Sequence, residues 1–342
     1  MSTRRAVVHK SAGVAEIKEV PLPKLRDDYI IVKTKAVALN PTDWKGLQNH
    51  FSPGAIVGCD YAGVVEEIGK NVTKPFNVGD RVAGFIRGND GGNYDNGGFA
   101  DRVTAKGDIS MRIGDNVSFE EAATLGVGVT TVAQGLYQNL GLPLPPTKVQ
   151  EPTSILIYGG STATGTLAIQ FAKLSGLRVI STSSPHNFDL LKKLGTDEVF
   201  DYKEPYVGAK IRKATHDSLK MVFDTISEGS SPAISAAAIS SKGGQYAALL
   251  PVKDFPRDDV KNSSTLAYTA LGEQYSENYP ANRTDYEFGV KFWGLSENLI
   301  NSGKIKAHPP QVREGGLDAI PQGLQDLKDG KVSGVKLVYR IE

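Results

Sequence analysis

The stretch Tyr158-Gly-Gly-Ser-Thr-Ala-Thr-Gly165 combines glycines with hydroxylated side chains. Between a strand and a helix, such a turn points backbone amides at an anion and can hold the pyrophosphate of a dinucleotide. The spacing departs from Gly-x-Gly-x-x-Gly: Gly159 and Gly165 remain, and Thr162 stands where the central glycine of a Gly-x-x-Gly-x-x-Gly spacing would be. The hydroxyls of Ser161, Thr162 and Thr164 can donate to phosphate oxygens in compensation. A strand-to-helix turn without a ligand is the plain alternative. Dinucleotide folds that read a ribose 2′-hydroxyl carry an Asp or Glu at the end of the second strand, and that carboxylate would repel a 2′-phosphate. Here the strand runs into Ser181-Thr-Ser-Ser-Pro-His-Asn-Phe188, with no acid before Asp189. Hydroxyls, an amide and a histidine favour NADPH over NADH, and Tyr202 is placed to close the adenosine end. A helix N-cap cluster at Ser184 and Asn187 is the structural alternative.

These residues need a frame, and the hydrophobic pattern supplies one. Ile155-Leu-Ile-Tyr158 reads as a buried strand, and Leu167, Ala168, Phe171, Ala172 and Leu174 form a helical stripe that ends at Gly176. Leu177–Thr182, Glu198–Asp201, Met221–Asp224 and Gly243–Leu250 read as further strands, with a helix over Phe188–Leu194. Alternation of strand and helix predicts a parallel, doubly wound sheet with right-handed crossovers. Before it, Tyr29–Leu39, Gly63–Ile68, Arg81–Ile86 and Phe99–Thr104 are short β-branched runs that predict a compact β-rich domain. Ser118 and Glu121 fit a capping box that opens a helix running towards Tyr137. A proline-rich connection follows over 141–154. Helical stripes return in the tail, and the last strand, Val335–Ile341, is expected to go back and complete the first domain.

A length of 342 residues suggests about two domains. With 39 Lys and Arg against 38 Asp and Glu, bulk charge recruits neither nucleic acid nor an anionic membrane. No apolar run reaches the roughly 20 residues of a membrane span, and the opening residues lack a secretory signal, so a cytoplasmic protein is expected. The single cysteine, Cys59, forbids an internal disulfide and a Cys-rich zinc site.

Asn40-Pro-Thr-Asp43, Gly58-Cys-Asp-Tyr-Ala-Gly-Val-Val65, Gly79-Asp-Arg-Val82 and the nucleotide loop together resemble the medium-chain dehydrogenase/reductase superfamily, in its zinc-independent, quinone-oxidoreductase-like branch. Tyr158–Thr164, Ser184–Leu190 and Leu140–Pro145 are similar to the fungal trans-acting enoyl reductases of polyketide pathways, the lovastatin enoyl reductase type. The resemblance covers nearly the whole chain. It implies an α/β fold: a Rossmann-type doubly wound parallel sheet domain over 126–296, which binds NADPH, plus a β-rich GroES-like domain formed by 1–125 and 297–342. A substrate cleft would lie between them. Alcohol dehydrogenases of the superfamily hold zinc with a Cys in the first motif and a His in the second. Asn40 and Gly58-Cys59-Asp60 stand there instead, so no metal site is expected. Cys59 then reads as a buried core residue.

Without a metal, the chemistry left is hydride transfer from nicotinamide to an electrophilic carbon, best the β-carbon of an α,β-unsaturated carbonyl. A donor aimed at the carbonyl oxygen lowers the barrier because charge appears there only as the hydride arrives. Resemblance puts Lys45 in that role, with Thr131 as its catalytic companion, while a lysine lying along Trp44 is the structural alternative. It places Asn40, Thr42, Asp43, Trp44, Lys45 and Thr130 by the nicotinamide, although a hydroxyl at 130 or 131 could equally bond its own helix backbone. Ser161, Thr162, Ala163 and Thr164 go to the pyrophosphate, and Ser184, Pro185, His186, Asn187 and Tyr202 to the 2′-phosphate. Leu249, Leu250, Val332 and Ser333 complete the cofactor set. The expected activity is enoyl reduction. An NADPH quinone reductase is the nearest rival, and a catalytically silent NADPH-binding partner or sensor is the rival of another class. The implied partners are a small conjugated carbonyl compound or the carrier-bound acyl chain of a polyketide synthase, with the protein a monomer or homodimer. Residues 87–98 and 275–285 read as mobile loops beside the substrate.

Overall fold

The computed structural model describes residues 2–342. In chain order the strands are β1 (Thr3–Ser11), β2 (Val14–Pro21), β3 (Tyr29–Ala38), β4 (Asp60–Ile68), β5 (Arg81–Phe85), β6 (Arg102–Lys106), β7 (Ser110–Arg112), β8 (Ser154–Tyr158), β9 (Arg178–Ser183), β10 (Glu198–Asp201), β11 (Met221–Asp224), β12 (Gly244–Ala248), β13 (Val260–Ser264), β14 (Pro310–Arg313) and β15 (Lys336–Arg340). The helices are α1 (Pro41–Asn49), α2 (Phe119–Ala123), α3 (Gly126–Val132), α4 (Ala163–Leu174), α5 (Phe188–Lys193), α6 (Val207–Ala214), α7 (Ser231–Ala238), α8 (Arg283–Asn301) and α9 (Ile320–Lys328). They fall into two compact units, one reaching to Thr130 and resuming over Tyr268–Glu342, the other Thr131–Ala267.

The second unit holds the parallel sheet, ordered β10-β9-β8-β11-β12-β13. Strand order reverses between β8 and β11, the switch point where doubly wound sheets bind their ligands. Ile155, Leu156, Ile157, Val222 and Phe223 are fully buried, which is why their segments read as continuous apolar runs. In the first unit β3, β4, β5 and β7 form an antiparallel sheet with β6 on β3, and β15 pairs antiparallel with β3, matching Val338 to Ala38. The last strand therefore completes the first sheet, as expected. Ile30, Val32, Val65, Val82 and Val103 pack in one core on this sheet. Val37, Leu39, Leu47, Leu324, Leu337 and Tyr339 form another, which fixes α1 and α9.

Three expectations need correction. Residues 126–130 and 268–296, expected in the parallel-sheet domain, group with the first unit, where α8 packs on β7. The helix opened by Ser118 has its capping box, with Glu121 N donating to Ser118 Oγ at 3.1 Å and Ser118 N to Glu121 Oε2 at 2.9 Å. It nevertheless stops at Ala123 and resumes at Gly126, where a Cβ would sit 2.3 Å from Asp60 Oδ1. Long-range packing breaks that helix. It then passes into a π-helical turn over Ala133–Asn139. Residues 87–98 are not a loose loop: Asn89, Asp90 and Asn96 are buried, and Asn89 bonds His9 Nδ1 at 2.8 Å and donates to Gly46 O at 3.0 Å.

Candidate active site

In the second unit, the turn after β8 is the glycine- and hydroxyl-rich segment 158–165. Gly159 adopts φ +76°, and a Cβ at Gly165 would lie 2.4 Å from Gly159 O, so the helix start closes directly onto the loop backbone. At Gly160 the crowding comes from Ser181 Oγ on β9, 2.0 Å from such a Cβ. This is a cradle of the kind a pyrophosphate needs. Thr162 has a task the sequence did not reveal. It is the N-cap of α4, accepting from Gly165 N at 2.9 Å, and its hydroxyl lies 2.9 Å from that of Thr225. The Thr225 hydroxyl also sits 2.8 Å from Tyr158 O and 2.9 Å from Gly159 O, bracing the loop from the end of β11. Replacing Thr162 by Ala should destabilise the second unit by about 1 kcal/mol. Urea unfolding followed by far-ultraviolet circular dichroism measures this, and an unchanged midpoint would refute the capping role. Ser161, Ala163 and Thr164 surround this cap, with Thr164 buried.

The ends of β9 and β10 lie side by side, Ser183 opposite Asp201. Ser184, Pro185, His186 and Asn187 therefore leave the sheet next to Tyr202, as a shared ribose-end site requires. Ser184 stands at the N-cap position of a short 3-10 turn over Pro185–Asn187 without a side-chain capping bond, with Pro185 and His186 exposed and Asn187 buried. Beyond β11, the fully buried Asp224 carboxylate organises the neighbouring loop. It accepts from Ile226 N and Ser227 N, each at 2.9 Å, from Ser231 Oγ at 2.6 Å and from Tyr246 OH at 2.7 Å. Ser227 Oγ in turn accepts from Leu249 N at 2.8 Å, placing Leu249 and Leu250 at the end of β12. Three of these partners lie within seven residues of Asp224, and the fourth, Tyr246, comes from β12.

In the first unit, α1 begins at Asn40, whose amide donates to Asp43 Oδ2 at 2.7 Å. That bond closes half a capping box and turns Asp43 inward, where burial pushes its carboxyl up to about 7 against the pull of the Asn40 amide. Trp44 packs against the core beside Val332, and Ser333 is exposed just before β15. Lys45 is half-buried, its ammonium 5.6 Å from the Trp44 ring centroid. Thr42 Oγ1 lies 2.8 Å from the hydroxyl of Tyr268. The Tyr268 hydroxyl is in turn 3.6 Å from Cys59 Sγ. Burial pushes the Cys59 thiol up, which leaves it a neutral core group. Sequence reasoning missed Tyr268, which lies in an irregular 3-10 turn, Ala267–Leu271, without periodicity.

A buried ion pair holds the next piece. Asp60 Oδ2 pairs with Lys336 Nζ, both side chains being almost fully buried, and Lys336 also donates to Thr124 O at 3.2 Å. Asp60 Oδ1 accepts from Val127 N at 2.7 Å, pinning the first turn of α3, which leads to Thr130 and Thr131. Thr130 Oγ1 is 3.5 Å from Gly126 O, its own helix backbone, and accepts from Trp293 Nε1 at 3.1 Å. Thr131 is buried in the same helix. Among the described residues no three His, Cys, Asp or Glu side chains form a group that could hold a metal ion, and no helix is long and apolar enough to cross a membrane.

Comparison with known proteins fits this geometry. Residues 26–115 match the alcohol dehydrogenase GroES-like domain and residues 163–249 the zinc-binding dehydrogenase family. The chain is 64% identical over 343 residues, all of both proteins, to the trans-enoyl reductase ACTTS2 of Alternaria alternata. It belongs to the trans-enoyl reductase family. This reductase is also 45% identical to the trans-enoyl reductase resD of Aspergillus sclerotiorum, covering 98% of the chain and 100% of the relative. Among solved structures, the CurK enoyl reductase matches with a TM-score of 0.80 at 19% identity and the quinone oxidoreductase of Coxiella burnetii with 0.74 at 22%, each over 100% of both chains. At that identity the likeness of the reductase to them is one of fold. It is an oxidoreductase of the medium-chain dehydrogenase/reductase superfamily, built from a Rossmann-type sheet and a GroES-like sheet, and its class implies a nicotinamide cofactor.

Proposed function

We propose that the protein reduces the α,β-carbon double bond of an enoyl thioester with NADPH, taking as substrate an acyl chain bound to the carrier protein of a polyketide synthase, in the cytoplasm. The observation that carries the reading is the 64% identity over the full length of a named trans-enoyl reductase, together with a loop whose glycines are packed as a pyrophosphate cradle. Bound NADPH supplies the hydride. Amides at the start of α4, with Ser161, Ala163 and Thr164, would hold the pyrophosphate, while Thr162 keeps the loop in shape. Ser184, Pro185, His186, Asn187 and Tyr202 would hold the 2′-phosphate: β9 itself ends in hydroxylated residues rather than an acid, and hydroxyl and amide donors are at hand. Asn40, Thr42, Asp43, Trp44, Thr130, Leu249, Leu250, Val332 and Ser333 complete the proposed cofactor contacts, and Lys45 and Thr131 meet the reacting carbonyl. Thr130 takes part through its position more than its hydroxyl, which its helix and Trp293 already engage.

Steady-state rates with a crotonyl thioester and with a small quinone, each under NADPH and NADH, test this. Enoyl reduction under NADPH should give the highest kcat/KM. Preference for the quinone would make the protein a quinone reductase, and equal or better use of NADH would remove the 2′-phosphate assignment.

A further inference from the structure

Reduction of a conjugated double bond needs a proton as well as a hydride, and resting on the enoyl-reduction reading above, we propose that the Tyr268 hydroxyl delivers that proton to the α-carbon while Thr42 supports its oxygen. The first unit gathers few acidic hydrogens around α1. Asp43 and Cys59 are only 3% and 2% exposed, and Asp43 Oδ2 is already engaged by the Asn40 amide. Tyr268 is the partly exposed member of the group, with its hydroxyl 2.8 Å from Thr42 Oγ1. Its ring is fixed on two sides: it stacks on Tyr275 at 5.0 Å and 11°, and lies tilted on Phe85 at 5.5 Å. The Arg87 guanidinium covers Tyr275 at 4.4 Å from the ring centroid, backing the stack. A phenol held this firmly by its ring, with a hydroxyl able to donate to its oxygen, is built as a general acid. Burial also pushes the phenol up, so the proton is in place at neutral pH.

The step balances. At the β-carbon, a hydride from a reduced nicotinamide forms the new C–H bond, and the π pair of the alkene moves through the α-carbon to the carbonyl oxygen. The enolate pair then takes the Tyr268 proton at the α-carbon, breaking the O–H bond. Thr42 donates to the phenolate oxygen so formed, and a solvent proton restores the phenol. The products are the saturated thioester and the oxidised nicotinamide.

The test is reduction of a crotonyl thioester by NADPH in deuterium oxide, reading kcat, KM and the face of the α-carbon that receives deuterium. The wild-type protein should label one face. Tyr268→Phe should lower kcat about a hundredfold with little change in KM, and should label both faces, because water then protonates the enolate unguided. A residue that merely packed the site would change the rate without scrambling the label. Thr42→Val leaves the aromatic stack intact and should lower kcat about tenfold while keeping one-faced labelling, as expected for loss of one hydrogen bond to a charged group. NADPH fluorescence checks that each variant still binds the coenzyme. Wild-type kcat with one-faced labelling in Tyr268→Phe overturns the proposal; if that variant does not fold, wild-type kcat in Thr42→Val does so. A wild-type protein that reduces no enoyl thioester would instead sink the enoyl-reduction reading.

Discussion

Lys336→Met destabilises the first unit by about 3–5 kcal/mol, because it strands a buried carboxylate. Asp60 has no solvent exposure, and its Oδ2 depends on Lys336 while its Oδ1 accepts from Val127 N. Without the ammonium, the buried carboxylate is left uncompensated and the site must rearrange or draw in water, which loosens the start of α3. The double variant Asp60→Asn, Lys336→Met should be more stable than Lys336→Met alone, since a neutral amide needs no counter-ion. Both tryptophans, Trp44 and Trp293, lie in the first unit, so their fluorescence during urea unfolding reports that unit alone. A loss under about 1 kcal/mol, as for an exposed pair, would refute the account. Activity should fall along with stability, as α3 is the element that leads to Thr130 and Thr131.

Lys45→Met lowers kcat for an enoyl thioester about a hundred- to a thousandfold, the usual consequence of losing one donor to a developing oxyanion. Methionine keeps the apolar stem that lies along Trp44, so the change isolates the charge from the packing. NADPH affinity and unfolding midpoint should stay near their wild-type values. Lys45→Arg should recover part of the rate, since it restores a cation but with a wider head. The measurements are steady-state kinetics and coenzyme titration. A kcat within twofold of wild type would mean that Lys45 is a surface lysine resting on an indole.

Where the sequence carried the answer, it did so through local pattern. The buried strands Ile155–Tyr158 and Met221–Asp224 announced themselves as short apolar runs, and Ser118 with Glu121 announced a helix start that the structure contains. Where it failed, the deciding interaction came from far along the chain. The helix break at Gly126 is made by Asp60, and the hydroxyl facing Thr42 arrives from 226 residues away in Tyr268. No window of neighbouring residues contains either fact. β13 escaped notice for a different reason. Val-Lys-Asn-Ser-Ser is polar because the strand sits at the sheet edge, where alternation is not enforced by burial. Thr162 shows the same limit at the site itself: nothing in the sequence distinguishes a hydroxyl that caps α4, as this one does by accepting from Gly165 N, from one that faces a phosphate.

The pairing of β15 with β3 has a bearing on synthesis. A ribosome makes β3 and Asp60 early and reaches Lys336 only after the entire parallel sheet has been translated. At about 5–20 residues per second the nascent chain spends many seconds with the Ala36–Ala38 end of β3 unpaired on the side that β15 will take, and with an acid lacking its mate. Premature termination shortly before Lys336 would thus release a polypeptide whose Rossmann half can be finished while its other half stays ajar, a natural substrate for quality-control proteases.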